Sequence, residues 1–243
     1  AQRRIGFARP QGRELAPWLA TDRVVPRKTH AVDRFLELLA PLGIEKARAE
    51  FRLADPPAAR EAAQRFLQHA GVNGPLAVMH PGAGWDSKLW PAERFAEVAA
   101  YLGERHGMTT VVAWSGARVK AWAKEIAGAS GGRAITAPQT TLPELIALLR
   151  AATLYVGSDS GPLHMAAAVG TATVSLFGPS TPEANGPYGA GHVMLQAYYQ
   201  SGSRRQRQFA DNHAMRAISS HAVMKACDEI LSGAGRQRRE QAA

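Results

Sequence analysis

The sequence predicts an α/β protein built on a doubly wound, Rossmann-like parallel sheet with helices on both faces. Three observations carry that prediction. Short, wholly apolar runs recur between glycines and prolines, as strands buried on both faces require. Amphipathic stretches of helical period alternate with them, the order expected of strand–helix–strand units. The composition, 46% hydrophobic and 20% charged residues, excludes collagen-like, disordered and coiled-coil classes.

Taken in order, the chain opens Ala1-Gln2-Arg3-Arg4 and reaches Ile5-Gly6-Phe7, a strand already under way. No initiator Met and no signal-peptide apolar region precede it, so the sequence is expected to be a piece of something longer. An apolar helix carries Val32, Phe35, Leu36 and Leu39, and a second helix runs from about Pro57 to His69. One strand and two helices are too few for an α/β domain, and residues 1–72 are expected to be the tail of one.

Residues 73–200 are expected to form a Rossmann-like domain. Leu76-Ala77-Val78-Met79 is a buried strand between Gly74-Pro75 and Pro81-Gly82. Pro91 opens a helix where its missing N–H costs nothing, and Glu93 suits the first turn. Phe95, Val98, Ala99 and Leu102 form the inward stripe of that helix. Thr109 to Trp114 is the next strand, and a helix from about Val119 to Ala127 stops at Gly131-Gly132. A short strand follows at Ala134–Thr136, then a helix with Leu142, Leu145, Ile146 and Leu149 on one face. Leu154 to Gly157 is a strand, Gly161 to Val169 a helix ended by Gly170, and Thr173 to Phe177 a further strand. Residues 201–243 are read as a polar, basic stretch from Ser201 to Arg207, a helix from Ser220 to Leu231 and a frayed end over 235–240.

The chain has 29 basic and 20 acidic residues, a net charge of +9, which favours an anionic partner. Its aromatic residues are not interleaved with the basic ones and no recognised nucleic-acid motif is present, so nucleic acid is not expected among its partners. The single cysteine, Cys227, excludes a disulfide framework and reads as a small core hydrophobe. No apolar run approaches the length of a membrane span.

In a doubly wound sheet the ligand sits beyond the carboxyl ends of the strands, and three loops fall there. In Gly157-Ser158-Asp159-Ser160-Gly161-Pro162-Leu163-His164, a carboxylate follows a strand and Ser160 occupies a helix N-cap position. Gly161 lets a ligand approach the backbone, and the free N–H groups of the helix favour a phosphate. Asp159 is placed to accept sugar hydroxyls, and His164 lies one helical turn on. The segment His80-Pro81-Gly82-Ala83-Gly84-Trp85-Asp86-Ser87-Lys88-Leu89-Trp90-Pro91 exposes backbone amides on small residues and offers Lys88 as a phosphate partner. It lacks Walker spacing, and the chain has no GxGxxG fingerprint, which disfavours an ATPase and a dinucleotide dehydrogenase. The third loop is Phe177-Gly178-Pro179-Ser180-Thr181-Pro182-Glu183-Ala184-Asn185-Gly186-Pro187-Tyr188-Gly189. Together they describe a site for a phosphorylated ligand, and a nucleotide-sugar fits it.

In this order and spacing, the HPGAG…SKLWP, DSGPLH and FGPSTPEANGPYG segments resemble glycosyltransferase family 9, the bacterial lipopolysaccharide heptosyltransferases. The resemblance runs from about residue 3 to 232, with His30–Phe35 resembling the end of the family's N-terminal domain. It implies a GT-B fold of two Rossmann-like domains, the C-terminal one complete here and the N-terminal one partial. It further implies inverting, metal-independent transfer without a cofactor, from ADP-heptose to the inner core of lipopolysaccharide. Lys88, Ala83, Gly84, Ser160 and Gly161 would hold the donor diphosphate, Asp159 and His164 the sugar, and Thr140 and Thr141 the nucleoside. Where the family carries an acidic residue that meets the ribose, this chain reads Ser115-Gly116-Ala117-Arg118, which puts Arg118 in that pocket. The family's N-terminal strand–glycine–aspartate signature, the source of its general base, has no counterpart in 1–72, where Asp22, Asp33 and Asp55 lack the context. The implied enzyme is cytoplasmic, peripheral on the inner face of the inner membrane, with Arg204, Arg205 and Arg207 helping to dock a glycolipid acceptor. Two alternatives stand beside it: a catalytically incomplete nucleotide-sugar-binding fragment, and another GT-B transferase or sugar-nucleotide epimerase.

Overall fold

The computed structural model describes residues 3–12 and 15–233. Its contacts divide the chain into two compact units, 1–51 with 183–185, and 52–182 with 186–243.

In the first unit, β1 (Ile5–Phe7), α1 (Ala16–Leu19), β2 (Asp22–Val24) and α2 (Ala31–Glu37) follow one another before a short 3-10 turn at Ala40–Leu42. β1 and β2 pair in parallel, Ile5 opposite Asp22 and Phe7 opposite Val24. Arg3 fixes that register by forking onto both Asp22 oxygens, at 2.9 and 3.3 Å. Trp18, Leu19, Val25, Phe35 and Leu42 remain exposed.

The second unit contains α3 (Pro57–His69), β3 (Leu76–His80), α4 (Ala92–His106), β4 (Thr109–Val112), α5 (Gly116–Ala129) and β5 (Ala134–Thr136). Next come α6 (Leu142–Ala151), β6 (Leu154–Ser158), α7 (Gly161–Ala168) and β7 (Ala172–Phe177). After the short α8 (Pro182–Asn185), whose residues 183–185 belong to the first unit, the second unit resumes with β8 (His192–Gln196), α9 (Arg204–Gln208), α10 (His213–Arg216) and α11 (Ser220–Leu231). The six strands run β5-β4-β3-β6-β7-β8, every pairing parallel. Chain order reverses between β3 and β6, which opens a crevice at their carboxyl ends.

Both faces of the sheet are covered. Met79, Val112, Val156 and Val174 pack with Phe95, Leu102, Ile126 and Cys227 on one side. Val78, Val111, Tyr155 and Phe177 pack with Leu145, Leu149 and Leu163 on the other. Cys227 is a core residue as expected, and burial raises its thiol pKa.

Three expectations are corrected. The break between units falls at 51/52 and not at 72/73, because α3 buries Ala63 and packs Phe66 and Leu67 against Leu148 of α6. Residues 201–233 are not a separate segment: Val223, Ala226 and Ile230 of α11 complete the core over α4. The polar, basic stretch, read without a helix, contains one, α9, because Ser203 and Gln206 close a capping box at its start. β2 and β8 are additional strands, and the end expected to fray, 235–240, lies outside the described residues. No described helix is long and apolar enough to cross a membrane.

Candidate functional site

β3 and β6 are neighbours in the sheet, His80 lying opposite Gly157, so the loops leaving them meet beyond their carboxyl ends. Lys88 comes from a 3-10 turn, Asp86–Lys88, in the first loop, and Asp159 follows β6 directly. Lys88 Nζ donates to Asp159 Oδ2 at 2.6 Å, both side chains being largely buried at 15% and 10% exposure. His164, on the first turn of α7, donates from Nε2 to Asp159 Oδ1 at 3.3 Å. Three residues singled out in the sequence, 71 and 5 positions apart, thus form one bonded cluster.

Burial opposes the charge on Asp159, yet the His164 bond, the Lys88 ammonium and the nearby Ser180 hydroxyl bring its pKa down to about 2. The carboxylate is therefore ionised at neutral pH with each oxygen already engaged by a cation or a ring N–H. Any further donor to Asp159 shares it with Lys88 and His164.

The helix beside this cluster is left open. Ser160 holds the N-cap position of α7 in an extended conformation, φ −155°, but its hydroxyl makes no capping bond. The Ser158, Ser160 and Ser180 hydroxyls are buried without a protein hydrogen bond of good geometry, as are Thr110 Oγ1, Tyr155 Oη and Gln200 Oε1. A Cβ added to Gly161, or to the exposed Gly84, would meet nothing within 4 Å. Neither glycine is required by local packing, and both leave the backbone open to approach.

The loop after β3 is shaped from behind. His80 is buried and its pKa lowered by that burial; its Nδ1 lies 3.0 Å from the Gly82 carbonyl, which fixes Nδ1 as the protonated nitrogen. A side chain on Gly82 would collide with His80 and Val119 at 2.8–2.9 Å, so only glycine lets the loop pass there. Trp90 serves the scaffold, donating from Nε1 to the Ile218 carbonyl at 2.9 Å and packing edge-on to Phe95.

The residues expected to line the nucleoside pocket fall outside the bonded cluster, at the ends of β4 and β5. Arg118 is committed to Asp86 at 2.6 Å and lies over the Trp122 ring at 5.0 Å. The hydroxyl of Thr141 closes a capping box with Glu144. Thr140 lines a cavity of about 170 Å³ with Ala62, Phe66, Gln139 and Leu148.

Sequence reasoning missed Trp85, whose ring lies 4.7 Å from Lys88 Nζ, and the roles of Ser180 and Asp86. All three lie in loops already singled out, but neither a cation–ring contact nor a cross-loop ion pair has a spacing to read. Among the described residues, no group of three His, Cys, Asp or Glu side chains could hold a metal.

A parallel sheet in this order, with Lys88 and the uncapped start of α7 beyond its reversal point, is a Rossmann-like domain of the GT-B type. The family model for glycosyltransferase family 9 (heptosyltransferase) matches residues 1–214, and the chain belongs to that family. It is 31% identical over 206 residues to lipopolysaccharide heptosyltransferase 3 of Escherichia coli, covering 83% of this chain and 60% of that protein. Lipopolysaccharide core heptosyltransferase OpsX of Haemophilus influenzae is 28% identical, over 77% of this chain and 54% of its own length. A glycosyl transferase family 9 structure from Veillonella parvula superposes with a TM-score of 0.74 at 27% identity, over 90% of this chain and 65% of that one. E. coli heptosyltransferase WaaC, solved with ADP, shares the fold with a TM-score of 0.68 at 24% identity, over 93% and 65% of the two chains. The chain thus spans about 60% of the length of heptosyltransferase 3.

Proposed function

We propose that this chain carries the donor site of an inverting glycosyltransferase that moves a heptose from ADP-heptose to the inner core of lipopolysaccharide. The observation that carries the reading is the Lys88–Asp159–His164 cluster beside the open N-terminus of α7. Family membership and the heptosyltransferase relatives support the substrate class.

The reaction is a direct displacement. An acceptor hydroxyl oxygen forms a bond to the anomeric carbon as the carbon–oxygen bond to the diphosphate breaks. The acceptor proton goes to a general base, and the pair of electrons leaves with ADP. Lys88, the amides around Ala83, Gly84, Ser160 and Gly161, and the dipole of α7 stabilise the charge that builds on the departing diphosphate. Asp159 and His164 orient the sugar; Thr140, Arg118 and, through its backbone, Thr141 flank the nucleoside. The step calls for no cofactor.

The base is not assigned to this sequence. Asp22 is tied to Arg3, and Asp55 lies between Arg60 and Arg150, so these two carboxylates serve ion pairs. We read the acceptor as an anionic glycolipid and the enzyme as cytoplasmic, peripheral on the inner face of the inner membrane. A second reading is binding of the nucleotide-sugar without transfer. Calorimetry with ADP tests the site, where unchanged affinity in Lys88→Ala would sink the phosphate assignment. Transfer assays on this chain against an upstream-extended version separate the two readings.

A further inference from the structure

We propose that the excursion between β8 and α10, residues 197–211, docks the protein on an anionic lipid surface. Among its described residues the second unit exposes five large apolar side chains, Leu142, Met194, Tyr198, Tyr199 and Phe209, and three of these lie in that excursion. Phe209 is the most exposed of them at 76%. Arg204 and Arg205 are exposed in the same stretch, and the Arg207 guanidinium lies 5.8 Å from the Tyr199 ring. The only acidic residue over 197–211 is Asp211.

Rings and arginines together are the chemistry of a bilayer interface. Aromatic side chains settle at headgroup level, and guanidinium groups pair with lipid phosphates. A soluble polyanion would engage the arginines and leave Phe209 idle, whereas an anionic bilayer uses both.

The patch is held in shape before it meets anything. Ser203 and Gln206 cap α9 reciprocally, and Gln200 Nε2 donates to the Asp211 carbonyl at 3.0 Å, tying the two ends of the excursion together. Gln200 N donates to the Gly178 carbonyl at 3.1 Å, Arg207 donates to the Pro179 carbonyl, and Ser87 donates to the Gln208 carbonyl at 3.5 Å. The last of these sits beside Lys88, so the patch borders the donor site. Its existence does not depend on the reading of that site; if both hold, the patch delivers the site to the surface that carries the acceptor.

The test is flotation of the full chain with vesicles of phosphatidylethanolamine and phosphatidylglycerol, against vesicles of phosphatidylcholine alone. Arg204→Glu/Arg205→Glu should weaken partitioning to the anionic vesicles by at least tenfold and Phe209→Ser about fivefold, while Lys124→Glu/Lys225→Glu, the same charge change on α5 and α11, should change it less than twofold. Melting temperature and ADP affinity, measured on the same samples, should not move in Phe209→Ser. Absent binding, equal binding to phosphatidylcholine, or equal losses in the control pair would overturn the proposal. So would DNA binding as strong as vesicle binding and unaffected by Phe209→Ser. Vesicle binding with no ADP heat would instead count against the donor-site reading alone.

Discussion

The helices that leave the sheet after β5 and β6 start alike. Each has a hydroxyl residue at the N-cap, Thr141 or Ser160, and a proline, Pro143 or Pro162, at the second helical position. At the third position they part. Glu144 reaches back to the Thr141 amide at 2.7 Å while the Thr141 hydroxyl accepts from the Glu144 amide. The Thr141 amide and hydroxyl together hold the Glu144 carboxyl below its ordinary pKa. Leu163, the matching residue of α7, is fully buried in the core and can cap nothing. One helix is closed by its own side chains; the other has no side-chain cap, forgoing roughly 1 kcal/mol of stabilisation, and because Pro162 has no N–H and the Leu163 amide donates to the Ser160 carbonyl at 3.1 Å, its openness rests on the Gly161 amide. The closed helix is scaffold, and the open one faces the cluster of Lys88, Asp159 and His164.

The contrast can be broken most forcefully at Lys88. Lys88→Ala strands a largely buried carboxylate, and urea unfolding should show a loss of about 3 kcal/mol. ADP affinity, read by calorimetry, should fall at least tenfold. Next comes acid. The Asp159 pKa is lowered to about 2 from 3.8, so its stabilisation is fully present above the unfolded value. It is lost as pH falls from about 4 towards 2, a change of about 2 kcal/mol. Asp159→Asn should flatten that limb of the stability–pH curve.

The caps themselves give a smaller and more diagnostic pair. Thr141→Ala should cost about 1 kcal/mol with ADP affinity little changed. Ser160→Ala removes a buried hydroxyl that caps nothing, so stability should hold within about 0.5 kcal/mol while ADP affinity drops. Equal stability losses in the two variants would erase the distinction between the helices. The smallest effect belongs to Gly161→Ala. Its methyl enters open space, so melting should be unchanged and only ADP affinity should weaken, by about threefold.

The central sheet was legible because strands buried on both faces are nearly pure apolar runs, as in Leu76–Met79 and Leu154–Val156. β2 and β8 were not, since Asp22-Arg23-Val24 and His192–Gln196 are half-exposed and mix polar with apolar residues. Gly71, Asn73 and Gly74 mimic a linker, which hid the docking of α3 onto α6. For α9 the signal was present, Ser203 three residues before Gln206, but three arginines masked it. Of the site, the strand-end loops and the hydroxyl N-caps could be read locally. That Lys88 would bond to Asp159, and that Thr141 would spend its hydroxyl on Glu144, depended on geometry that spacing does not encode.

The turn carrying Lys88 is pinned from far along the chain. Asn212 donates to the Leu89 carbonyl at 2.9 Å, and Trp90 and Arg94 reach the Ile218 carbonyl at 2.9 and 2.6 Å, across 122 or more positions. The loop that carries Lys88 is thus closed by a segment far downstream, so loosening residues 212–218 should disturb that loop without altering any residue in it.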